Sequence, residues 1–234
     1  MFKFFQKENK EKIQNSFQEL FEKYAAISAE KQDNVLELIG DKPWNADMVE
    51  GTLTFGGELV FPVQILGTVS HVDNTWLWIW ANENAEYSDE IIKQANNLKQ
   101  YGDLNSIHEL SVPSFDVQEN DWHKIGTIAA GLYDCSFYYV GNYGRGSAIF
   151  TIDSAEINKN MKNHPENVLK IFPKLISVFE MNHKNAFRHY LLAKRFSVAE
   201  DGNTISGKHG DFALKAEFDK LGRLTGLSTD KVTF

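Results

Sequence analysis

Cys135 is the one cysteine in 234 residues and the first side chain to test for nucleophilic chemistry. A reactive thiol needs its pKa lowered by a nearby cation or imidazole. Cys135 instead falls between a helical and a strand-like stretch among apolar neighbours, which predicts a buried structural thiol. Seven histidines are scattered along the chain. His183 and His189 fall on different sides of a helix, and no pair has the i, i+4 spacing of H-E-x-x-H. No metal site and no cofactor are expected. His71 falls in a turn and reads as solvated. Carboxylates gather at Glu83, Glu86, Asp89 and Glu90, and again at Asp116, Glu119 and Asp121. Both groups precede or open helices, where negative charge complements the helix dipole. A general acid–base pair would need two carboxylates buried at a set separation, and spacing alone does not supply that. No catalytic residue is assigned, and the reading leans away from an enzyme.

Residues suited to binding are easier to name. Trp76, Trp78 and Trp80 recur at every second position, so in a strand they share one face while Leu77, Ile79 and Ala81 take the other. Three exposed tryptophans would show about 450–750 Å² at roughly 150–250 Å² each. The largest apolar patch of a typical monomer is only about 300–600 Å², so the strand is expected to be mainly core. One indole edge facing a pocket is the functional variant, with Asn82, Asn84 and Tyr143 as polar lining. Gly141–Gly146 has three glycines, Tyr143 and Arg145, and its amides could meet an anion. No Gly-Lys-Ser/Thr follows, so it is no Walker loop and reads as a hairpin turn. Lys184, Arg188 and Arg195 fall at i, i+4 and i+11 with Lys194 beside them. They form a candidate docking face for an acidic patch on a partner.

The run Leu66-Gly67-Thr68-Val69-Ser70, followed by Thr75-Trp76-Leu77-Trp78-Ile79-Trp80-Ala81-Asn82, resembles the signature of a mostly bacterial, cytosolic family of unknown function. Its members share an L-G-(T/S)-x-S…T-W-L-W-x-W-A-N pattern and then an amphipathic helix ending in Y-G, which Tyr101-Gly102 fits. The likeness is specific over residues 50–102 and thinner over 103–155. The C-terminal hairpin, Phe218-Asp219…Gly222-Arg223-Leu224, is an ending shared by many domains. The resemblance implies an α+β fold and a bacterial origin, and it carries no activity.

Other elements must position these residues. Ile13, Phe17, Leu20, Phe21 and Tyr24 mark one face of an N-terminal helix that ends before 28–34. Trp44, Thr52–Phe55, Leu59–Val69 and Trp76–Ala81 read as strands joined by short turns, hence antiparallel. Pro62 marks an edge or bulge. A helix capped by Ser88 ends at Gly102, and a strand-like piece, Ile107–Val112, stops at Pro113. Trp122–Tyr133 is helical, and Gly126 and Gly131 within it point to close packing. Ser136–Val140 and Ala148–Ile152 form a hairpin. Two further helices follow, one opened by Asn163–Glu166 and kinked or broken by Pro173, the other capped by Asn182. Phe212, Leu214, Ala216 and Phe218 alternate as in a half-buried strand. The class is α+β, mainly antiparallel sheet with packed helices. A division near residues 113–121 separates residues 1–116 from 117–234, unless the chain is one continuous domain.

Composition bounds the rest. Hydrophobic content of 42% and aromatic content of 13% exclude a disordered chain. A lone cysteine suits a reducing compartment. The start, MFKFFQKENKEKIQ, lacks the apolar core of a signal peptide, and no stretch approaches the roughly 20 apolar residues of a membrane helix. A cytosolic protein is expected. Net charge is −8, but residues 28–121 hold 17 acids and 4 bases while residues 122–234 hold 11 acids and 15 bases. The acidic half argues against nucleic-acid binding and suits a basic protein partner drawn in by charge. Two functions are weighed: a non-catalytic interaction module, of immunity type in one version, and a small-molecule or enzymatic pocket against the tryptophans.

Overall fold

The computed structural model describes residues 16–84 and 86–230. It is α+β, with one seven-stranded and one four-stranded antiparallel sheet, and its described part opens on a helix and closes on a strand hairpin. Helix α1 (Phe17–Ile39) begins where the Ser16 hydroxyl accepts from the Glu19 amide at 3.1 Å. Phe17, Leu20, Phe21 and Tyr24 pack into the core as their spacing predicts, while Ile13 lies outside the described residues. The helix does not stop before 28–34. It continues to Ile39 and ends at Gly40, whose φ is 49°. The cause is tertiary, since Ser28, Glu30 and Val35 are all buried. A locally polar stretch is therefore held helical by what covers it.

The larger sheet takes β1 (Trp44–Asp47), β2 (Thr52–Phe55), β3 (Leu59–Ser70), β4 (Thr75–Trp78), β5 (Ser114–Asp116), β6 (Phe137–Asn142) and β7 (Gly146–Ile152). Its path is β1-β2-β3-β4-β5, with β7 also paired to β3 and β6 paired to β7. Strand β3 is the hub. Leu59 to Pro62 pair with β2, and Val63 to Ser70 pair with β7. Pro62, which has no N–H, thus sits where only one side of β3 is laddered. Rings from four strands meet around the hub: Phe55 lies 4.8 Å from Tyr139, Phe61 6.1 Å from Phe137, and Trp44 5.8 Å from Tyr139.

Three expected elements differ. The tryptophan strand is interior, between β3 and β5, but it ends at Trp78, and Ile79–Ala81 wind into a 3₁₀ turn. The Ile107–Val112 piece is not a strand. It contains a short helix, α3 (His108–Ser111), and the strand comes after Pro113 as β5. Helix α2 (Lys93–Asn105) starts beyond Ser88 and runs past Gly102 to a left-handed Ser106, φ 57°. Gly102 is therefore no terminator. It lets α3 approach, for a Cβ there would lie 2.6 Å from Leu110 Cβ.

Helix α4 (Asp121–Leu132) packs as its glycines suggest, Gly126 against the Tyr138 ring and Gly131 against Tyr24. After α5 (Ala155–Asn160), helix α6 (Asn167–Ile176) continues three residues beyond Pro173. Helix α7 (His183–Ala193) is capped by Asn182, whose side chain accepts from the Asn185 amide at 3.0 Å. The second sheet is a meander in the order β11-β10-β9-β8, formed by β8 (Ser197–Asp201), β9 (Thr204–His209), β10 (Phe212–Phe218) and β11 (Leu224–Asp230). The hairpin β6–β7 follows residue 121 in the chain yet pairs with β3, so the larger sheet draws strands from both sides of 113–121.

Candidate functional site

Trp76 and Trp78 are fully buried. Their rings meet edge-on at 5.2 Å, and Trp78 stacks on Trp80 at 6.5 Å with 15° between planes. Trp78 Nε1 donates to the Glu109 carbonyl at 3.0 Å. Nε1 of Trp76 and of Trp80 has no acceptor among the described residues, so ring burial outweighs an unmade hydrogen bond of about 1–3 kcal/mol at each. Gly67 makes room, since a Cβ there would collide with the Trp76 ring and the Leu77 carbonyl oxygen. Trp80 is half-buried because the 3₁₀ turn carries it off the strand, and Lys99 Nζ sits 5.4 Å from its ring centroid. Asn82 closes that turn, its amide donating to the Ile79 carbonyl and its side chain accepting from the Asn84 amide at 3.1 Å. Asn84 is exposed.

Tyr143 and Arg145 lie elsewhere, on the exposed β6–β7 turn. The structure brings that turn against the β3–β4 turn, where the His71 amide donates to the Arg145 carbonyl at 3.0 Å. The His71 ring stands 5.8 Å from Trp122 at the start of α4, and its Nε2 is 3.1 Å from the Ser147 hydroxyl. The loop before α4 joins the same end, the Val117 amide donating to the Asn74 carbonyl at 2.8 Å. Beneath, His123 Nδ1 lies 3.0 Å from the Tyr138 hydroxyl. Desolvation holds the His123 pKa below the ordinary histidine value and pushes Tyr138 up. Serine beside imidazole is half of a nucleophilic arrangement. Here it does not complete one, because Ser147 is only 2% exposed and no described carboxylate bonds the other His71 nitrogen. The Tyr143 and Arg145 pair was legible as a turn. His71, Trp122 and Ser147 were not, because only strand register and a helix start bring them together.

Cys135 is buried, and burial pushes its thiol up despite hydrogen bonding from Gln94 and Thr151. Gln94 Nε2 approaches Sγ at 3.5 Å, and Thr151 Oγ1 donates to Gln94 Oε1 at 2.6 Å. The thiol is held as a structural group.

The model of a family of unknown function, DUF6882, matches residues 18–155, more than half of the chain. The chain belongs to DUF6882. No curated protein and no solved structure matches it. The DUF6882 segment contains the whole seven-stranded sheet, the tryptophans and the loop end just described. Residues beyond 155, with α6, α7 and the four-stranded sheet, lie outside the match.

The candidate basic face falls in that outer part, where one carboxylate, Glu200, serves two of its cations. Arg188 Nε donates to Glu200 Oε1 at 2.8 Å, and Lys184 Nζ lies 3.8 Å from Glu200 Oε2. Arg195 follows α7 in a left-handed conformation, φ 61°, and is exposed. A groove of about 430 Å³ runs where α7 crosses α1 and α4 of the DUF6882 segment, lined among others by Lys23, Tyr24, Lys31, Asp134, His189 and Leu192. Lys31 Nζ is already bonded to Asp134 at 2.9 Å and to the Cys135 carbonyl at 2.8 Å. Among the described residues no three His, Cys, Asp or Glu side chains gather as metal ligands, and no helix is long and apolar enough to cross a membrane.

Proposed function

We propose that this chain is a non-catalytic protein-interaction module acting in a reducing, cytosolic setting, with the loop end of the DUF6882 sheet as its contact surface. The observation that carries the reading is the loop end itself. Val72 and Tyr143 are 62% and 56% exposed beside exposed Arg145 and half-buried Trp122. Tyr, Trp and Arg are the residue types that dominate protein contacts, and here three turns of a rigid sheet present them. Side chains able to attack a substrate, Cys135 and Ser147, are buried in the same half. Asp73, Asp116 and Glu119 stand exposed around the patch, without ion pairs to described residues, so a partner with a basic face suits it. Neutralising a basic toxin, an immunity-type role, is one form of this reading and rests on analogy.

The test is capture from a lysate of the native host on the immobilised full chain, alongside Tyr143→Ala/Arg145→Ala. The expected result is one stoichiometric protein bearing a basic face, retained by the unaltered chain, lost with the double variant, and released as salt rises. No stoichiometric protein, or equal retention by the variant, overturns the reading.

A further inference from the structure

The part of the chain beyond the family segment meets the rest chiefly along α1. Among the described residues no strand of the second sheet pairs with the first, and the elements that pack closely on the family segment are α6 and α7, both against α1. In the polar ties there α1 supplies acids and amides, and the outer part supplies lysines, amides and the Tyr190 hydroxyl. Glu22 accepts from the Asn182 amide at 2.8 Å and from Asn185 Nδ2 at 2.6 Å. Asp33 pairs with Lys170 at 2.6 Å, and Glu37 with Lys162 at 2.5 Å. At the centre is Glu30, 3% exposed like its partner Lys194. Lys194 Nζ bonds both Glu30 oxygens, at 2.7 and 2.8 Å, and Tyr190 and Asn167 donate to the same carboxylate. Asn163 Oδ1 accepts another proton of the ammonium.

This junction is unlike the core of the sheet. Its outer ion pairs are exposed and hold little. Its middle is a buried charge pair, stable only while every partner is in place. Its flank is the open groove beside Lys23 and His189. The Phe21–Phe179 ring contact, 5.3 Å, is the aromatic contact at one end of it. Apolar residues of α6 and α7 share one buried cluster with α1, so what sets this junction apart is the buried charge pair at its middle.

We propose that residues 156–230 form a cover that opens from α1 as one unit, with Glu30–Lys194 as its latch. Opening widens the groove and uncovers the acidic face of α1, Glu22, Glu30, Asp33 and Glu37. Hydrogen exchange followed by mass spectrometry on the full chain tests this. In the unaltered protein α6, α7 and β8 to β11 share one opening constant, larger than that of β3 and β7. Lys194→Met strands Glu30, and protection across the cover falls by roughly 100- to 1,000-fold while β3 and β7 are unchanged. Glu30→Gln/Lys194→Met removes both charges and restores most of the protection. Loss shared equally by β3 and β7, element-by-element differences within the cover, or no loss overturns the proposal. If Lys194→Met does not fold, the unaltered chain decides: two opening constants support the cover, and a single one ends it.

Discussion

The two sheets treat their edges differently. In the seven-stranded sheet the outer strands are short or covered: β5 has three residues, β1 has four, and the outer side of β6 faces α1, where Gln32 Nε2 donates to the Tyr138 carbonyl at 2.8 Å. In the four-stranded sheet β11 runs seven residues, L-T-G-L-S-T-D, pairs only with β10 among the described residues, and has neither Pro nor Lys. Such residues blunt open edges elsewhere. The faces differ too. Strand β7 is buried at every position, whereas β10 alternates, Leu214, Ala216 and Phe218 inward and Lys215 and Glu217 outward. The family half encloses its sheet. The outer half buries one face, against α7, and depends on α7 being docked.

The largest effect expected from this difference is at Gly67. A side chain there meets the Leu77 carbonyl, which is backbone within the sheet and cannot swing away. Gly67→Ala should therefore destabilise by about 1–3 kcal/mol, read as a lower urea midpoint. Because the outer half opens from α1 on its own, hydrogen exchange across α6, α7 and β8 to β11 should stay near its former rate while that of β3 and β7 rises. An equal rise in both halves would mean that they open together, and the comparison fails.

A smaller effect comes from histidine titration, and each half has its own case. Burial depresses His123 in the family half; His183 in the outer half is depressed chiefly by burial, with Asp219 opposing. A histidine whose folded pKa lies below its unfolded value of 6.5 binds fewer protons when folded. Stability is then full above the unfolded pKa and is lost as pH falls through the folded one. Urea midpoints should fall between pH 8 and pH 5. His123→Asn should flatten that fall for the family half, and His183→Asn for the outer half. A fall unchanged by both substitutions would assign the acid sensitivity elsewhere.

Both halves were legible where the signal is local, the outer one in the Phe212–Phe218 alternation that reappears as β10. The runs Thr52–Phe55 and Leu59–Val69 and the Tyr143 turn are short-range signals too, and they reappear as β2, β3 and the β6–β7 hairpin. Trp76 and Trp78 are core, as the area argument required, yet nothing local marks the change from strand to 3₁₀ turn at Ile79. The loop end needed register: Ser147 faces His71 because β7 pairs with β3. The latch had no local signal at all. Glu30 sits in a polar run that reads as a loop, and its partner is 164 residues away. What joins the halves is contact between residues far apart in the chain, which spacing along it does not encode.

The smallest predicted effect separates the latch from its surroundings. Lys162 and Glu37 are paired at 2.5 Å, yet their side chains are 61% and 62% exposed. Water already solvates both ions, so Lys162→Ala should cost less than about 1 kcal/mol. The Lys162 amide, which donates to Asn34 Oδ1 at 2.8 Å, survives that substitution. Hydrogen exchange in α6 and α7 should therefore stay within a few-fold of the unaltered chain, and added salt should change it little. A loss as large as that expected for Lys194→Met would mean that the junction is held by its exposed charges, and the distinction between an enclosed half and a latched one would have to be drawn along the rim of α1 instead of at Glu30.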